Sequence, residues 1–141
     1  MKKLELSDEL KVVNAQIDDQ IFKNFESLTI YLNNKYHIGI NKDLPNLDRY
    51  WILEHELEHI KNKTLYSATD DAYTINQKER ITNDAMILKF GLPSKILKML
   101  ESGKNKDEIC KELNITEKVY DYSYEYIIRR YLILLGGKYE K

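Results

Sequence analysis

Proline occurs only twice in this chain of 141 residues, at positions 45 and 93, and glycine only five times. So few breakers favour long helices over a turn-rich β architecture. Hydrophobic residues make up 43% and charged residues 32%, the balance of a globular chain able to bury one core. Apolar residues Leu10, Val13, Ile17, Ile21, Phe25, Leu28 and Leu32 recur at steps of three or four. That spacing predicts one long amphipathic helix from about residue 7 to 36, or two with a break near Asn14. Only "YHIGIN" (36–41) alternates as a strand does, with Ile38 and Ile40 around a glycine. Pro45, Asn46 and Asp48 mark a turn into a capped helix over 47–62. Residues 63–74 read as a loop or weak strand. A further helix over 75–90 is stopped by "GLP" (91–93), and three shorter helical patterns follow at 94–101, 106–113 and 116–134. The expected architecture is α+β and mainly α-helical, with residues 1–93 forming a core with a reduced sheet and 94–141 a helical C-terminal extension.

Two of the three histidines, His55 and His59, stand four apart in "LEHELEH". On a helix that spacing puts both imidazoles on one face, where they can share an ion. Glu56, displaced by about a hundred degrees, can reach a water on that ion without ligating it. The pattern is His-Glu-x-x-His, in which zinc acidifies a water and the glutamate takes its proton. The competing reading is a solvated acidic face, with Glu54, Glu56 and Glu58 around two surface histidines. A catalytic zinc takes three protein ligands and one open position. Glu79 is the best third ligand, because it falls on the next helix across a loop long enough for the two helices to face each other. Asn83 lies one turn on, placed to orient a ligating imidazole with its amide. His37 in the strand reads as a packed or exposed histidine and Cys110 in the tail as a small core residue.

"LEHELEH" followed by Glu79-x-x-x-Asn83-x-Ala85 and an apolar run ending in Leu-Pro resembles the ImmA/IrrE family of gluzincin-type metallopeptidases. The likeness covers residues 20–93. It implies a zincin-like core with His55, His59 and Glu79 as zinc ligands, Glu56 as general base and Asn83 supporting them. It also implies site-specific cleavage of a repressor-like regulatory protein, of the kind carried by phages and mobile elements. Family members commonly hold an extended substrate on the edge strand of a small antiparallel sheet, and that sheet is expected to be shortened here. Glu58, where the family frequently has glycine, would add a negative charge beside the site. Tyr66 and Tyr73, between the ligand helices, are both candidate oxyanion donors, and the spacing does not choose between them. Zinc is the expected cofactor; two imidazoles and a carboxylate also accept other divalent ions.

Two rival functions follow from the same residues. One is a non-catalytic anti-repressor that keeps the fold and binds its partner without cutting. The other is a DNA-binding regulator using "KDEICKELNITEKVYDYSYEYIIRRY" (106–131), which has helix-turn-helix spacing. The second helix of that unit begins with Thr116, Glu117, Lys118 and Asp121, with Glu125 one turn on, and its carboxylates would face phosphate. The net charge is −1, so the electrostatic footprint of nucleic acid is missing. The alternative for this segment is a helical pair packed on the core, with some of Tyr120, Tyr122, Tyr124 and Tyr126 at a protein interface. "YLILLGGKYEK" (131–141) reads as a core cap or oligomer contact with a polar end. A single cysteine fits a reducing compartment, and neither a signal peptide nor an apolar membrane span is legible, so a cytoplasmic protein is expected.

Overall fold

A computed structural model describes residues 5–20 and 26–134. Among them the chain forms six helices and three strands, an α+β and mainly helical fold. The first helix, α1 (Leu6–Val12), ends where Asn14 turns left-handed at φ 58°. The chain then does not continue as helix. It enters β1 (Ala15–Gln20), and after residue 26 it forms β2 (Ser27–Leu32) and β3 (Lys35–Asn41). The expectation of helix over 7–36 is therefore corrected from Ala15 onward; Ile21 and Phe25 lie outside the described residues. The three-to-four spacing was misleading because Thr29, Ile30 and Tyr31 are β-branched or aromatic and favour a pleated strand. Asn33 and Asn34, at φ 53° and 62°, form a two-residue hairpin turn of the kind whose twist matches the flanking strands.

The sheet has the order β1-β3-β2. In it β1 runs parallel and β2 antiparallel to the central β3. Register places Ile17 and Thr29 on either side of Ile38, and Ser27 beside Ile40. Since alternate residues share a face, these side chains lie on one side of the sheet. There Ile38 and Ile40 pack with Leu10, Leu53, Leu57 and Ile60 in one buried cluster. Three of these come from α2 (Asn46–Lys61), which carries the His-Glu-x-x-His pattern across the sheet. The expected side-chain cap at its start is absent: Pro45 occupies the cap position, and Asp48 in the first turn is the favourable charge.

Residues 62–71 form an irregular loop, and α3 (Ala72–Lys89) follows. Contacts divide the chain within α3, between Asn83 and Asp84, into two compact units. The second unit holds the end of α3, then α4 (Leu92–Glu101), α5 (Lys106–Leu113) and α6 (Glu117–Leu134). Gly91 separates α3 from α4 at φ 64°, a conformation that costs a residue with a Cβ. A capping box joins Asn105 and Glu108 at the start of α5. Ile96, Ile109, Ile115, Val119 and Ser123 are buried. The α5–turn–α6 pair has helix-turn-helix spacing, and at its second helix Lys106 is ion-paired to Glu117 and Asp121, each at 2.9 Å. No helix among the described residues is long and apolar enough to cross a membrane.

Candidate metal centre

Helical spacing brings His55 and His59 together on α2, with ring centroids 4.7 Å apart. The loop then returns the chain so that α3 presents Glu79 to both. His55 Nε2 lies 3.1 Å from Glu79 Oε2, and His59 Nε2 lies 3.1 Å from Glu79 Oε1. One donor atom from each residue fits within a cluster no wider than 4.8 Å, a group able to hold a metal ion. Two ligands at zinc distances of about 2.0–2.2 Å stand roughly 3.4 Å apart across a tetrahedron, close to these separations.

The second nitrogen of His59 reveals why its Nε2 suits a cation. His59 Nδ1 is 3.1 Å from the backbone carbonyl of Thr64, which can only accept, so Nδ1 carries the hydrogen. Thr64 Oγ1, 3.0 Å from Nδ1, is 2.6 Å from Thr82 Oγ1, and the Thr82 hydroxyl donates to the Lys78 carbonyl at 2.7 Å. A directed chain of donors thus runs from the imidazole to the backbone of α3. Nε2 is left as the ring atom that faces the Glu79 carboxylate, at 3.1 Å. A ring nitrogen and a carboxylate oxygen at that distance hold a proton or a metal cation between them, so the donor set fits a metal.

Electrostatics point the same way. Burial disfavours the charged form of His55, but the Glu79 carboxylate, aided by Glu56 and Asn83, overrides it and raises the imidazole above its usual pKa. Burial pushes the Glu79 carboxyl up, yet hydrogen bonds from His55 and His59 win and bring it down to about 2. Asn83 stands beside His55 as expected, while its Oδ1 is buried without a hydrogen-bond partner of ordinary geometry.

The solvated acidic face is overturned. Glu54, Glu56, Glu58 and His59 are all buried, at 1%, 8%, 4% and 4% exposure. Glu54 accepts from the Tyr50 hydroxyl at 2.9 Å. Glu58 does not bring a free charge to the site: it is paired with Lys61 at 3.4 Å and bonded by Asn62 at 3.2 Å. Glu56 turns to the sheet, where Ser27 donates at 2.7 Å and Thr29 at 2.5 Å. Glu56 is thus bonded to an edge strand of the sheet.

Of the two loop tyrosines, Tyr66 enters the site and donates its hydroxyl to Glu79. Tyr73 is 71% exposed. Neither Cys110, on α5 in the other unit, nor His37, paired with Asp18 on the sheet at 3.4 Å, belongs to the donor group. Ser27, Thr29, Thr64 and Thr82 carry no signature in the sequence, since a hydroxyl residue becomes a site residue only through what folds against it. Comparison of the chain with protein families, with curated proteins and with solved structures finds no match.

Proposed function

We propose that this chain is a zinc-dependent, site-specific endopeptidase acting on an extended segment of a repressor-like regulatory protein. The observation that carries the metal and peptidase reading is the meeting of His55, His59 and both Glu79 oxygens beside a buried Glu56. The repressor-like substrate rests on the resemblance of "LEHELEH" and "ERITNDA" to the ImmA/IrrE family. His55, His59 and Glu79 would hold the ion. When bound, zinc supplies Lewis acidity toward a carbonyl oxygen and a water of lowered pKa. The chain supplies the rest. The outer edge of β2 offers backbone groups to an extended peptide, which would run past Glu56. A carboxylate has about four acceptor positions, so Glu56 keeps two beyond those used by Ser27 and Thr29. Through these it would take a proton from the attacking water and deliver it to the leaving amine nitrogen.

The non-catalytic anti-repressor is the second reading, favoured by one observation. Both Glu56 oxygens are already bound by hydroxyls of the sheet, as expected of a glutamate that only fastens α2 to β2. The acidic start of α6, tied to Lys106, favours neither reading and weighs against a DNA-reading helix.

Zinc titration of chelator-stripped protein by calorimetry tests the site. One equivalent should bind, and His59→Ala and Glu79→Ala should each lose it. Saturable binding absent from the wild type would end the peptidase reading. Glu56→Gln then separates the two functions: it should keep zinc and partner binding and abolish cleavage. Cleavage surviving in that variant would remove Glu56 from the mechanism.

A further inference from the structure

A tetrahedral ion held by two imidazoles and one carboxylate has one corner left. The Tyr66 hydroxyl stands against this donor group. It donates to Glu79 Oε1, the same atom that faces His59 Nε2. Its ring also stands edge-on to the His59 imidazole, with centroids 5.6 Å apart. The position is braced from behind, because Lys78 Nζ donates to the Leu65 carbonyl at 2.9 Å and pairs with Asp70 at 2.6 Å. The ring itself remains half-exposed, at 49%. A donor braced through the neighbouring backbone and half-exposed itself can both occupy a coordination position and leave it.

We infer that Tyr66 is a fourth protein donor to the metal, binding as a phenolate whose proton passes to solvent, and that substrate displaces it. This rests on the metal-site reading above. The resting site is then closed by the protein's own side chain, so water or a foreign anion competes poorly for the ion. A peptide laid along β2 would open it by turning Tyr66 outward into solvent.

Copper(II) is the probe, because phenolate bound to it gives a visible charge-transfer band that imidazole and carboxylate do not. Chelator-stripped wild type, Tyr66→Phe and Tyr73→Phe would each be loaded with one equivalent of copper(II) and titrated with azide. The wild type and Tyr73→Phe should show the band. Tyr66→Phe should bind copper without it, take up azide about tenfold more readily through its open position, and bind zinc about tenfold more weakly. Copper bound by the wild type with no phenolate band overturns the role of Tyr66 and leaves the three-donor site standing. A band that persists in Tyr66→Phe does the same. Failure of the wild type to bind copper at all overturns this inference together with the metal site. A wild-type spectrum without the band overturns the role whatever the variant's folding.

Discussion

Substituting Glu79 by Gln in metal-free protein isolates the electrostatics that hold His55, His59 and Glu79 together. In the wild type the Glu79 carboxyl is lowered from 4.5 to about 2, and the His55 imidazole is raised above 6.5. These are two views of one interaction and count once. At about 1.4 kcal/mol per unit the carboxylate shift corresponds to about 3 kcal/mol. A third of the Glu79 side chain is exposed, and solvent screening reduces the figure to about 1–2 kcal/mol. The lowered carboxyl gives stability that is present above 4.5 and lost as pH falls toward 2. The raised imidazole gives stability that is present below 6.5 and lost as pH climbs through its folded value. The contribution is therefore complete between pH 4.5 and 6.5. Urea unfolding of chelator-stripped wild type and Glu79→Gln at about pH 5.5 should differ by about 1–2 kcal/mol. As pH climbs through the folded value of His55 the difference should fall toward about 0.5 kcal/mol, that of an ordinary hydrogen bond. A difference that stays constant as pH rises would refute the claim that a charged pair organises the metal-free site.

Thr82→Val breaks the donor chain from His59 Nδ1 to the Lys78 carbonyl and should weaken zinc binding by about tenfold; calorimetry with unchanged affinity would show that the Thr64 carbonyl alone holds the ring. Leu57→Ala opens a cavity at a fully buried position against Ile38 and Ile40 and should cost about 2–5 kcal/mol in denaturant unfolding. Asn105→Ala removes the side chain that caps α5 and should cost about 1 kcal/mol, read by thermal or urea melting.

Local features were readable along the chain because they are written in consecutive residues. The helices over 46–61, 72–89, 92–101, 106–113 and 117–134 follow apolar periodicity and the stops at Gly91 and Asn114, within a few residues of expectation. That His55 and His59 share a face, with Glu56 turned aside, follows from helical geometry alone. The sheet was largely hidden. Its strands pair across the chain, and the step of four between Leu28 and Leu32 imitates a helix because it is also two strand alternations. Asn33-Asn34 was the local sign of the hairpin.

Only the tertiary structure decides what the glutamates of α2 do. An acidic run looks solvated when read linearly, yet packing α2 on the sheet buries Glu54, Glu56 and Glu58 and assigns each its own partners. The convergence of Glu79 on both histidines depends on the path of the loop over 62–71, which no periodicity encodes. The same loop sets Thr64 beneath His59 and Tyr66 against Glu79. Helical spacing can place two ligands, because the backbone holds them a fixed turn apart. The third member of the donor group, the hydrogen-bond chain that orients the ring and the tyrosine bonded to Glu79 come from elsewhere in the chain, and folding alone brings them within reach.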